Sequence, residues 1–238
     1  MHHGMPDDSQ QPDDAELSGG QPSDDVNGLP EWMVNFFSAA RLGEYVRAAG
    51  GDATLAERLY WWNVEVSQAF YLPLKSLEVA VRNALHDQLS DRYGRADWWA
   101  AAPLGVNSLR LVAEATAECG RRSGRQPTSD DVVTRLAFGF WVALVSSSYD
   151  RHLWVPTLHR AFPRFTGRRR NLHESLNTMR LLRNRISHHE PIHHRDLAAD
   201  HATLYRLLGF LRLELAAGVA LRDDVPAVLA RRPVLPKR

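Results

Sequence analysis

From Trp32 onward the apolar residues of this chain return every three or four positions, and they almost never alternate. Trp32, Phe36, Phe37 and Ala40 begin the series, Leu55, Leu59, Trp62 and Val66 continue it, and Leu74, Leu77, Val81, Leu85 and Leu89 extend it. Such spacing lines one side of an α-helix, whereas a half-buried strand alternates. The run from Val132 to Val145, VVTRLAFGFWVALV, is almost wholly apolar and predicts one buried helix. Leu172, Leu176, Met179, Leu182 and Ile186 form a further stripe, and Leu204, Leu207, Leu208, Leu211, Leu213 and Leu215 predict the last long helix. Gly50–Gly51 and Pro73 punctuate these segments, and Gly120 to Pro127 reads as a loop. The expectation is an all-α fold, a single helical domain over residues 31–225 around one core.

The ends of the chain break the pattern. Residues 1–30 are rich in Asp, Gln, Pro, Gly and Ser and read as a disordered acidic tail. Residues 226–238 carry Pro226, Pro233 and Pro236 and read as a short C-terminal tail. Of the 28 acidic residues, Asp7, Asp8, Asp13, Asp14, Glu16, Asp24 and Asp25 stand in the first 30 positions, with no Lys or Arg among them. The rest of the chain therefore sets 29 basic residues against 21 acidic ones. All but Lys75 and Lys237 of those basic residues are arginine, whose planar fork grips phosphate in a bidentate way. A polyanionic partner is compatible with that balance. No stretch has the roughly 18 consecutive apolar residues of a membrane span, and no secretory signal opens the chain. The single cysteine, Cys119, excludes an internal disulfide framework and a cysteine-based zinc site. A cytoplasmic protein without a membrane partner is expected.

One segment concentrates unusual chemistry: Leu182 to His194, LRNRISHHEPIHH. Arg183, Asn184 and His188 spell R-N-x-x-x-H. Asn184 and His188 share a helix face, while Arg183 and His188 stand about 140° apart on an ideal helix. Arg183 and His188 meet on one phosphate only where the helix ends at His188, and Pro191 favours such an end. The same Arg-x4-His spacing recurs at Arg168 and His173, which marks it as weak by itself. The cluster of His189, Glu190, His193 and His194 raises the question of a metal. Its spacing is not the helical H-E-x-x-H of a metalloprotease, and no cysteine or second acidic cluster completes it, so no metal and no cofactor are expected.

Four blocks, in order, resemble the Abi-like (abortive infection) family, a branch of the HEPN superfamily of helical ribonucleases and toxins. They are LYWWN at Leu59–Asn63, LEVAVRN at Leu77–Asn83 followed by Tyr93, Gly94 and Trp98, FGFWVALVSSSY at Phe138–Tyr149 followed by Trp154, and LRNRISHHEPI at Leu182–Ile192. Together they cover about residues 32–215. The resemblance implies a HEPN-type bundle with Arg183, Asn184 and His188 as catalytic residues, two copies of the motif facing one cleft across a homodimer. It implies metal-independent cleavage of RNA by attack of a 2′-hydroxyl on the adjacent phosphate, leaving 2′,3′-cyclic phosphate and 5′-hydroxyl ends. Histidine suits the proton transfer because its unperturbed pKa is near neutral. The setting implied is anti-phage defence or a toxin, restrained by an antitoxin or a phage-derived trigger.

Glu78, Arg82 and His86 lie four apart on one helix face, read either as a solvated Glu–Arg pair or as lining of the cleft. Asn83 and His189 join Glu78 and Arg82 as supporting residues, since they stand in the same blocks. Residues 151–170 hold Arg151, Arg160, Arg164, Arg168, Arg169 and Arg170 and no acid, with Trp154, Phe162 and Phe165 interleaved, and Arg164, Arg168, Arg169 and Arg170 above all read as an RNA-binding rim. The alternative reading of that stretch is a connector whose aromatics face the core. A non-catalytic HEPN-fold module for RNA or nucleotide binding and dimerisation is the main rival to the nuclease, and a metal-dependent phosphohydrolase using HHEPIHH is a third reading.

Overall fold

A computed structural model describes residues 26–236, and among these every regular element is helical. No helix among the described residues is long and apolar enough to cross a membrane. Most of the acidic N-terminal stretch lies outside the described residues. Two compact units are present: residues up to Ala56 together with Leu235 and Pro236, and Glu57–Val234.

The first unit holds α1 (Glu31–Phe37) and α2 (Ala39–Ala48). They are separated by Ser38, which adopts a left-handed φ of 67°. The break after α2 falls on Gly50 and Gly51, both at positive φ, the conformation that glycine adopts without a Cβ penalty.

The second unit contains most of α3 (Ala53–Tyr93) and every later helix through Val234. The sequence predicts a break at Pro73, but α3 runs through it without stopping. A proline inside a helix costs about 3 kcal/mol. The stripe Leu59, Trp62, Val66, Phe70, Leu74, Leu77, Val81, Leu85 and Leu89 is buried on both sides of Pro73, and that burial outweighs the lost hydrogen bond.

The predicted helix over 132–145 is two helices, α5 (Ser129–Arg135) and α6 (Phe138–Leu144), following α4 (Val106–Ser123). Thr128 caps α5 in a reciprocal box with Asp131. Leu136 then turns extended, with ψ of 121°, and its carbonyl accepts the indole N–H of the buried Trp141 at 3.3 Å. The predicted last long helix is likewise split, into α8 (Leu197–Leu211) and α9 (Leu213–Ala220), by a single extended residue, Arg212. The stretch from Pro226 does not open as irregular chain: α10 (Val225–Leu229) starts there with Pro226 in its first turn and buries Val225 and Val228. α7 (Arg169–Ser187) packs between α6 and α8 and carries the R-N-x-x-x-H segment at its C-terminal end.

Candidate active site

The buried stripes of α3 and α7 place two charged residues at their common edge. Leu77 and Leu182 are both fully buried, and the next residue on each helix, Glu78 and Arg183, turns to the surface of the contact. Arg183 Nε donates to Glu78 Oε2 at 3.1 Å, and Nη2 to Oε1 at 3.5 Å. The two side chains retain 37% and 23% exposure, so the pair is fixed yet reachable from solvent. The sequence had left Glu78 open between a local pair with Arg82 and a role at the motif; its ion pair is with Arg183.

Asn184 is half-buried and His188 exposed. α7 stops at Ser187, and His188 is its cap, as Pro191 suggested. The stop has a defined geometry. The N–H of Glu190 donates to the Arg185 carbonyl at 2.8 Å and that of His189 to Ile186 at 3.1 Å, the paired bonds of a Schellman ending. That ending requires a left-handed residue, and His189 supplies it with φ of 56°. Thus His189 shapes the backbone at the motif. Glu190 pairs with Arg185 across 3.6 Å.

The segment beyond Pro191 is clamped by a residue that is not among the expected site residues. Asn63 of α3 is buried, and its Oδ1 accepts the N–H groups of Ile192 at 2.8 Å and His193 at 3.0 Å. Its signal was legible: in LYWWN, position 63 stands four after Leu59 and three before Val66, a core position occupied by an amide. Behind the clamp, Arg232 donates to the His193 carbonyl at 2.7 Å and lies over the Trp62 ring at 5.3 Å. Trp62 in turn donates its indole N–H to the Val228 carbonyl at 2.9 Å. The imidazole of His193 is held down to a pKa of about 4, chiefly by burial and further by the charges of His194 and Arg232.

Two concavities flank the Glu78–Arg183 pair, and both count the pair in their walls. One is a groove of about 260 Å³ bearing Lys75, Glu78, Arg82 and Arg183, with Tyr71, Ile186 and Ser187. Three cations face one carboxylate there. His188 follows directly on Ser187, the last residue of that wall. The other is a hollow of about 480 Å³ between α3, α4, the α5–α6 break and α7. Arg82 also donates to Asn83 at 3.0 Å, and Asn83 lines a neighbouring apolar hollow with Tyr71 and Leu215. His86, on the same face, accepts the indole N–H of the buried Trp98 at 3.1 Å, and burial lowers its pKa.

The arginines of the 164–170 stretch divide. Arg164, Arg168 and Arg170 are exposed, Arg170 beside Glu174 at 2.7 Å. Arg169 turns inward, donating to Asp150 and to the Val145 carbonyl, each at 2.7 Å, and so ties α7 to the end of α6. Of the interleaved aromatics, Phe162 is fully buried, and Phe165 stacks edge-on against Phe210 at 5.0 Å.

No family model, curated protein or solved structure matches this chain.

Proposed function

We propose that the chain is a metal-independent endoribonuclease of the HEPN type that works as a homodimer in anti-phage defence or as a toxin. The observation that carries this reading is the end of α7. Arg183 is anchored by Glu78 at a groove rich in cations, and His188, five residues on, stands exposed where the helix stops. A phosphate in that groove meets Arg183 and Arg82, which stabilise the charge that develops on the phosphoryl oxygens. An unprotonated His188 takes the proton of the ribose 2′-hydroxyl. The 2′-oxygen bonds to phosphorus, and the bond to the 5′-oxygen breaks. A protonated His188 of a second copy returns a proton to that leaving oxygen. Asn184 orients the strand or the imidazole beside it. DNA lacks the 2′-hydroxyl and is spared.

The test is cleavage of total bacterial RNA in EDTA by the wild type and by His188→Ala. Cleavage by the wild type alone, leaving cyclic phosphate ends, is expected. Cleavage that EDTA abolishes would transfer the chemistry to a metal at the histidine-rich segment. Binding of RNA by both proteins without cleavage by either favours a non-catalytic RNA-binding module, a reading to which the ion pair on Arg183 lends weight, since a paired guanidinium can position a phosphate without turning it over.

A further inference from the structure

The two concavities at the Glu78–Arg183 pair have opposite electrical character. The groove sets three cations against one carboxylate, whereas the larger hollow sets Glu78, Glu114 and Glu118 against Arg135 and Arg183. A phosphate is favoured on the first side and disfavoured on the second. The hollow has the size of a small-ligand site, and Leu111, Leu136 and Phe140 give it an apolar wall. Its polar groups are fixed in advance. Arg135 grips Glu118 with two N–H groups, Nε to Oε2 at 2.7 Å and Nη2 to Oε1, and Arg110 holds one oxygen of Glu114. The break at Leu136 opens this space, since a helix continuous through 132–145 would not turn away between Arg135 and Phe138.

We infer that this hollow receives a guanine base of the RNA strand whose phosphate lies in the adjacent groove. The inference rests on the ribonuclease reading for its choice of RNA, and it identifies the base that the site selects. A flat base suits the apolar wall, and the wall's chemistry chooses among the four. Ionised carboxylates only accept hydrogen bonds. Guanine offers two adjacent donors, N1–H and the 2-amino group, which one carboxylate receives together. Adenine and cytosine place a ring acceptor beside their amino group, and uracil flanks its one N–H with two carbonyls, so each of these turns lone pairs toward Glu114 or Glu118. Arg135 spends two of its five N–H donors on Glu118 and keeps the others for guanine O6 and N7. Because Glu78 and Arg183 border both spaces, a base on one side and a phosphate on the other place the strand across the ion pair.

The test measures binding apart from cleavage. Fluorescence anisotropy with the full chain follows uncleavable 2′-O-methyl heptamers, oligouridine with a single central guanosine, adenosine, cytidine or inosine. The guanosine strand is expected to bind about ten-fold tighter than the adenosine or cytidine strand. Inosine, which lacks the 2-amino group, is expected to fall between. Glu114→Gln, at an exposed position, is expected to erase the preference, read as the ratio of the affinities for the guanosine and adenosine strands within the one variant. Equal affinities for all strands, or a preference that survives in both Glu114→Gln and Glu118→Gln, would overturn the inference. GMP that binds while the strands go undistinguished would place guanine recognition on a free nucleotide and overturn the assignment to RNA. Guanine preference in a protein that never cleaves RNA would retain the inference and sink the nuclease. Cleavage without any preference would do the reverse.

Discussion

α7 carries Arg-x4-His at both of its ends, and the two copies occupy different physical settings. At the N-terminal end Arg168 is the exposed residue just before the helix, and His173 is half-buried, its pKa lowered first by burial and then by Arg169. The neighbouring Arg169 is consumed by Asp150 and a backbone carbonyl. At the C-terminal end Arg183 is anchored by a carboxylate from another helix, and the chain leaves helical geometry at His188. Within a helix, five residues put the two side chains about 140° apart; only at the second copy does the helix stop where the histidine stands. The spacing is the same, and the helix end coincides with the histidine in only one of the two copies.

The largest expected difference between the two ends is catalytic. His188→Ala is expected to lower cleavage about a thousand-fold, and His173→Gln to leave it within two-fold, both read from initial rates on one RNA substrate. Arg183→Ala should cost about a hundred-fold, whereas Arg168→Ala should keep the rate and reduce the salt slope of RNA binding by about one. Equal losses at both ends would erase the distinction. Stability should divide differently, because both ends are built in. Asn63→Ala strands the N–H groups of Ile192 and His193 and should cost about 1–3 kcal/mol in denaturant unfolding. Arg169→Ala should cost a similar amount while sparing the rate.

A pH dependence of stability is also expected beside the motif. His193 has a folded pKa of about 4 against an ordinary 6.5. Between those values the unfolded chain binds a proton at residue 193 that the folded chain does not. Stability therefore rises with pH through that window and is lost on acidification from 6.5 toward 4. His193→Gln is expected to flatten this part of the unfolding profile, and an unchanged acid limb would remove His193 from its causes.

The helical class and most of the buried positions were legible because period-four stripes leave few alternatives. The breaks at Leu136 and Arg212 were not, since neither position carries a glycine or a proline. Pro73 misled in the opposite direction, because it lies between Phe70 and Leu74 in a stripe buried along the whole helix. At the site, Pro191 announced the helix end at His188. A place for Glu78 beside the motif was visible only as one of two options, and its pairing with Arg183 was not visible, because 105 residues separate them and no local rule joins them. Asn63 was detectable as an amide at a core position, but its two backbone partners lie 129 and 130 residues away.

That clamp also bears on when the site comes into being. The turn after His188 is secured by Asn63 from before it and by Arg232 from after it, across 129 and 39 residues. Contacts so far apart along a chain close late in folding. Ribosomal synthesis passes His188 well before it reaches Arg232, so a growing polypeptide holds the whole R-N-x-x-x-H segment while its fastening is still unmade. If the chain is the ribonuclease proposed above, the segment that would cut RNA is fastened only once synthesis has passed Arg232.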